Sequence, residues 1–168
     1  LPWNDIIPED NKDTEEPAKV IKHLQWDADY YSAVTGRTSQ PDDLVKMSEP
    51  VYNFQRIFNL KMGFGRAQHD ELPYRAMGPV TELEYESRAE RYDTQLKDKY
   101  QIDISGKTTA EKTALMRQLR CEQYEKLKGA VYKRRGWTAD GIPTVETVKR
   151  LGIDFATVLE TLAAHGVR

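Results

Sequence analysis

Residues 41–61 carry the strongest constraint in the chain, because Leu44, Met47, Val51, Phe54 and Phe58 recur there at intervals of 3, 4, 3 and 4. A helix of 3.6 residues per turn places that spacing on one face, whereas a strand would scatter it over two. The start is marked as well. Ser39 or Gln40 precedes Pro41, and Asp42 and Asp43 occupy the first turn, where the helix dipole favours negative charge. The apolar face is expected to point into the core. Pro50 lies inside the helix, removes one backbone donor, and predicts a kink or a break near Met47–Glu49.

Other segments read the same way. Residues 17–35 form a helix opened by Pro17 and ended by Gly36, with Val20, Leu24, Ala28 and Tyr31 inward. Residues 62–80 hold Gly63, Gly65, Pro73, Gly78 and Pro79 and read as a long loop. Residues 82–99 are charged and helical, with Leu83, Tyr85, Tyr92 and Leu96 as the apolar positions. After a break at 100–107, Thr108 and Glu111 make a capping box. The helix behind it reaches Arg134, turns Leu115, Leu119, Tyr124, Leu127 and Val131 inward, and stops at Gly136. Thr144 caps a short helix through Arg150, and Asp154 caps a last one to about His165. No stretch reads as a convincing strand. The expected fold is therefore all-α, an irregular bundle of about five to six helices with long loops. Residues 1–16, acidic and turn-rich, form an extended arm that Trp3, Ile6 and Ile7 dock elsewhere, and residues 17–168 form the helical domain. The helices at 41–61 and 108–135 are expected to supply most of the core.

Charge and cysteine content exclude several functions. The net charge of -2, with both signs interspersed, gives no basic surface for nucleic acid. No apolar run approaches the roughly 20 residues of a membrane span, and the opening Leu1-Pro2-Trp3-Asn4-Asp5 is not a signal peptide. The sole cysteine, Cys121, can make no internal disulfide and cannot alone hold a cluster or a zinc ion. A cytoplasmic setting is expected. The absence of an initial Met fits either a piece of a longer protein or removal of that residue by processing or trimming.

The local motifs offer little chemistry. Ser105-Gly106-Lys107-Thr108 resembles the end of a phosphate-binding loop, but Gln101 stands where the first glycine belongs and no buried strand precedes it. A loop leading to a helix cap explains it. Gly63-Phe64-Gly65 follows a helix and not a strand, so it reads as a helix stop. His23, His69 and His165 share no metal-ligand spacing, and only His69, beside Asp70 and Glu71, invites a pH-sensitive pairing. Cys121, mid-helix between Arg120 and Glu122, reads as a structural or incidental thiol. Lys133-Arg134-Arg135 could bind phosphate or an acidic partner, yet cations at a helix C-terminus are stabilising in themselves. No catalytic, cofactor-binding or metal residue is assigned.

Two stretches carry a more specific signal. The first runs Tyr31-Ser32-Ala33-Val34-Thr35-Gly36, Leu44, Val51-Tyr52-Asn53-Phe54-Gln55-Arg56-Ile57-Phe58-Asn59, Gly63, Arg66 and Asp70-Glu71-Leu72-Pro73-Tyr74-Arg75. The second runs Tyr132-Lys133-Arg134-Arg135-Gly136-Trp137-Thr138-Ala139-Asp140-Gly141-Ile142-Pro143 and Leu151-Gly152-Ile153. In order and spacing they resemble the C-terminal end of the aldehyde:ferredoxin oxidoreductase family, over roughly residues 30–76 and 124–153. Physically, Asn53, Asn59 and Arg56 can tie down the backbone groups of the following loop, and Trp137 after Gly136 can fold back as an apolar plug on the helix end.

The resemblance implies a parent enzyme with tungsten or molybdenum held by two pterin dithiolenes beside a 4Fe-4S cluster. It further implies that the cofactor domain lies upstream and that ferredoxin or an electron-transfer subunit is a partner. This chain would then be a helical layer that packs on the cofactor domain and shapes the substrate channel, inactive by itself. Its reaction would be aldehyde oxidation to carboxylate or a related low-potential reduction. Pro50 and an extra charged segment at about 84–122 depart from the pattern, and they fit a divergent branch such as the tungsten subunit of ATP-independent benzoyl-CoA reductases. The competing reading is a stand-alone helical scaffold or interaction module, which would have a closed core. The fragment reading instead predicts a broad exposed apolar face. Homo-oligomerisation is left open by both.

Overall fold

A computed structural model describes residues 22–168, with side chains from Gln25 onward. The expected arm at 1–16, the helix start at Pro17, Val20, and the side chains of His23 and Leu24 lie outside the described residues. Seven α-helices follow among the described residues: α1 (Lys22–Thr35), α2 (Pro41–Lys61), α3 (Glu82–Glu86), α4 (Ala89–Thr94), α5 (Thr109–Arg135), α6 (Val145–Arg150) and α7 (Ala156–Ala164). No strand is formed among them; Trp137 and Pro143 make a lone antiparallel bridge. The fold is all-α, as the periodicity requires.

Local chemistry sets the ends. Gly36, at φ 69°, closes α1 and donates to the Ser32 carbonyl at 2.9 Å. The Gln40 N–H donates to the Asp43 carboxylate at 2.9 Å, opening α2. Thr108 and Glu111 satisfy each other's backbone donors at the start of α5 (3.2 and 2.7 Å). Gly136 ends α5 in the left-handed region (φ 68°, ψ 39°), and the Trp137 N–H returns to the Tyr132 carbonyl at 2.9 Å. Thr144 caps α6, donated to by Thr147 N at 3.2 Å. The cap of α7 is Phe155, one residue beyond the expected Asp154.

Three expectations are corrected. First, of the kink or break expected near Met47–Glu49 the break does not occur: α2 runs through Pro50 as one helix. Two side chains bond the backbone nearby: Ser48 Oγ donates to the Val45 carbonyl (2.8 Å) and Asn53 Nδ2 to that of Glu49 (2.9 Å). Second, the helix at 82–99 is divided into α3, α4 and a π-helical turn, Gln95–Lys99. Within it Leu83 is exposed, while Tyr85, Tyr92 and Leu96 are buried.

The third correction concerns the apolar stripe of α2. Met47, Val51, Phe54 and Phe58 are exposed by 48, 59, 43 and 55%, and the buried residues are Asn53, Ile57 and Leu60. At 100° per residue, the buried face lies about 120° around the helix from the stripe. Leu127 and Val131 of α5 also face outward, at 61 and 37%.

The core consequently has two parts. The main core joins Ile57 and Leu60 of α2 to Ile142, Val148, Ile153, Val158 and Leu162 from the C-terminal elements. The satellite core joins Tyr85, Tyr92, Leu96 and Ile104 to Met116 near the start of α5. The 27 residues of α5, about 40 Å long, reach from one to the other.

Candidate functional site

The residues that carry the family resemblance converge where α2, the Gly63–Gly78 loop and the C-terminal end of α5 meet. Arg56, 10% exposed, points from α2 into this junction. Its Nη1 and Nη2 donate to the two oxygens of Asp70 at 2.8 and 2.5 Å, and its Nε donates to the Gly141 carbonyl at 2.9 Å. This forked geometry uses the planar guanidinium as a lysine could not. Tyr132 of α5 donates its phenol to Asp70 Oδ2 at 2.5 Å, and the Tyr124 hydroxyl bonds the Asp70 carbonyl. Asp70 thus ties its own loop to α2 and α5, and Arg56 adds the stretch at Gly141.

Trp137 completes the junction. It is buried, and its Nε1–H donates to Asn53 Oδ1 at 2.7 Å. Tyr52 stacks on it with ring centroids 5.8 Å apart, Tyr132 tilts against it at 5.7 Å, and the Arg56 guanidinium lies 4.9 Å from its ring. Outside, Arg135 covers the Tyr52 ring at 3.7 Å. Gly141 is required by this packing. Its φ is +73°, and an added Cβ would stand 2.5 Å from Arg56 Nη2 and 2.9 Å from Tyr132 Cζ. Arg66 and Asp140 pair at 2.9 Å, joining the same two loops at the surface.

The electrostatics are self-contained. The hydrogen bonds from Arg56 hold the Asp70 carboxyl below the usual aspartate range, against the opposing effect of burial, and the bond from Tyr132 adds to this. Burial disfavours the charged Arg56, but Asp70 more than offsets it. Burial, then the bond to Asp70, pushes the Tyr132 phenol well above its ordinary value, so its proton stays in place. Guanidinium, carboxylate and phenol are committed to one another. The arrangement clamps structure and presents no poised acid, base or nucleophile.

The two roles read from sequence at this place are refined. Arg56 does tie down the loop that follows α2, through Asp70, but it also holds the distant Gly141. Asn53 binds the Trp137 indole and not that loop. Trp137 folds back as a plug, seated on α2. The central parts of Asp70 and Tyr132 were missed. An acid in a Gly/Pro-marked loop, with an arginine on a helix just before it, was the available signal.

The remaining candidates stay apart. Ser105–Thr108 ends in the capping box at the start of α5. His69 is exposed; its Nδ1 accepts from the Arg66 N–H at 3.2 Å, and its ring meets Phe64 and not its acidic neighbours. His165 bonds the Thr161 carbonyl. Cys121 is exposed and free on α5. Of the basic run, Arg135 is used against Tyr52, while Lys133 and Arg134 line an open groove of about 820 Å³.

The cysteine content does not fit a four-iron cluster held by this chain alone. The chain has a single thiol, and no three His, Cys, Asp or Glu side chains come together among the described residues. No described helix is long and apolar enough to cross a membrane.

The family model described as aldehyde ferredoxin oxidoreductase, domains 2 & 3, matches residues 14–153, and the chain belongs to this family. The matched span runs through the charged segment at 84–122 as well as the two stretches singled out above. Among curated proteins and solved structures none matches.

Proposed function

We propose that this chain is a helical C-terminal domain, residues 17–168, of an oxidoreductase whose metal-bearing domain lies elsewhere in the parent protein, and that its work is to pack against that domain and shape the approach to it. The family's own description supports the first part, since the match is to domains 2 and 3 and leaves a first domain to be supplied. The exposed apolar surface carries the second. Val51, Phe54, Phe58, Met62 and Phe155 stand 43–60% exposed along α2 and beside α7, the kind of apolar grouping that marks an interaction surface. The stand-alone scaffold reading calls for a closed core and gains nothing from this surface.

In the parent, a tungsten or molybdenum bis-pterin centre and a 4Fe-4S cluster would supply two-electron chemistry at a substrate carbon and pass electrons to ferredoxin or a similar carrier. No step is assigned to residues of this chain. Its own contribution is rigidity: the Arg56–Asp70–Tyr132 clamp fixes α2, whose apolar stripe meets the neighbouring domain, to the end of α5. The setting is cytoplasmic. The direction of the reaction, aldehyde oxidation or a low-potential reduction, belongs to the absent domain.

The test is expression of the whole parent polypeptide in medium with tungstate or molybdate, followed by metal analysis and dye-linked aldehyde oxidation. Stoichiometric metal and aldehyde-dependent dye reduction are expected, with both absent when residues 1–168 are expressed alone. A parent gene that encodes only these residues, or stoichiometric tungsten on the isolated chain, overturns the reading.

A further inference from the structure

The loop that carries Asp70 is fixed at its two ends and bare in its middle. At the first end Arg56 and Tyr132 hold the Asp70 carboxylate, and Tyr124 bonds the Asp70 carbonyl. At the second, Gly78 and Pro79 are buried. Between them Glu71–Ala76 are exposed and Met77 is half-buried. Leu72, Tyr74 and Met77 border a cavity of about 480 Å³, whose other wall is Gln118, Cys121 and Tyr124 on one face of α5. One side chain ties this span to α5. Arg117 Nη2 donates to the Tyr74 carbonyl at 2.8 Å, and Nη1 donates to the carbonyls of Gly78 and Pro79, both at 3.3 Å. Its guanidinium also lies 3.4 Å from the centroid of the Tyr74 ring, which is 64% exposed. Gly78 permits the close approach: its φ is +121°, and an added Cβ would stand 3.4 Å from Arg117 Cγ.

The span is stiff within itself and weakly held from outside. A 3₁₀ turn, Tyr74–Met77, with the Ala76 N–H on the Pro73 carbonyl at 2.8 Å, keeps its residues together. Its ion pair, Arg75 with Glu84 at 3.5 Å, lies at the surface, where such pairs contribute little. None of Glu71–Met77 belongs to either core. A segment with few buried apolar contacts, fastened at one place, opens at far lower cost than the cores on either side. We propose that residues 71–77 are a strap latched by Arg117, which lifts from α5 as a unit, with Asp70 and Gly78 as its fixed ends, and uncovers the cavity at Cys121. The latch calls for arginine. One planar guanidinium serves three carbonyls and an aromatic face together, which the compact ammonium of lysine does not. Neither the metal chemistry nor the identity of the parent enters the inference.

Limited trypsin cleavage of the folded 168-residue chain tests it, because the rate after Arg75 follows the population in which the strap is open. Cleavage after Lys97 in the satellite and after Lys149 in α6, both exposed, reports on the two cores in the same digest. Arg117→Met keeps the aliphatic stem and removes the donors. It is expected to raise the Arg75 rate about tenfold and to leave the other two rates unchanged. Arg117→Lys should recover only a minor part of the loss. Tyr124→Phe frees the strap at the Asp70 end with Arg117 in place, and should raise the Arg75 rate about threefold. An Arg75 rate that stays constant in Arg117→Met, or rises there in step with the rates at Lys97 and Lys149, overturns the proposal, as does full rescue by Arg117→Lys. Should Arg117→Met fail to fold, an unchanged Arg75 rate in Tyr124→Phe overturns it.

Discussion

The two cores solve the same problem with different reach. Each places a carboxylate between a buried tyrosine and a cation: Tyr132, Asp70 and Arg56 beside the main core, and Tyr85, Asp93 and Lys112 in the satellite. In the satellite, Tyr85 donates to Asp93 at 2.7 Å and Lys112 approaches it at 3.2 Å, joining residues 8 and 19 apart in sequence. Near the main core, Arg56 and Tyr132 close on Asp70 across 14 and 62 residues, and Arg56 reaches Gly141 across 85. Arginine serves the long-range site because its fork fixes orientation as well as charge; lysine serves the local site as a point charge. Residues quoted for the family resemblance gather at the long-range site.

The comparison breaks most sharply at Asp70. Asp70→Ala leaves the enclosed Arg56 unpaired and should lower stability by about 3 kcal/mol, seen as a shift in a urea midpoint. Asn53→Ala removes the acceptor of the buried Trp137 indole and should cost about 2 kcal/mol, with the Trp137 fluorescence shifting as its surroundings change. Asp93→Ala, in a local and partly solvated pair, should cost about 1 kcal/mol.

Acid titration separates the same contributions by sign. The bonds from Arg56, and secondarily that from Tyr132, depress the Asp70 carboxyl, outweighing burial. Its stabilisation is therefore complete above the unfolded aspartate value of about 3.9 and fades as pH falls through the lower folded value. Stability measured from pH 6 downward should hold in that upper range and decline below it, and the decline should be weaker in Asp70→Asn. The smallest effect is expected on the bridge between the cores. Gly129 lies mid-helix in α5 with open space where a Cβ would go, so Gly129→Ala should stabilise by about 0.5–1 kcal/mol.

The helices were legible because their ends are written locally. Thr108 with Glu111, Gly136, Thr144 and Gly36 each satisfy or end a helix through neighbours within a few residues. Burial was not legible in the same way. On α2 the evenly spaced apolar residues form the outer stripe, while the inner face carries Ile57 and Leu60 together with Asn53 and Arg56, whose partners Trp137 and Gly141 lie more than 80 residues away. A hydrophobic pattern shows that a face must be covered and does not show by what. Leu127 and Val131 misled for the same reason: both stand exposed on α5. The satellite was misjudged in the other direction. Ser87 and Arg88 divide its helix although no glycine or proline marks the place, and Tyr85 and Tyr92 then meet at 5.1 Å.

The central claim is that a clamp around Asp70 holds the main core as a unit distinct from the satellite, and hydrogen exchange of Asp70→Ala tests it directly. The account predicts faster exchange in residues 53–60 and 132–143, with residues 89–99 unchanged from the parent chain. Equal acceleration in all three segments, or none in the first two, would contradict it.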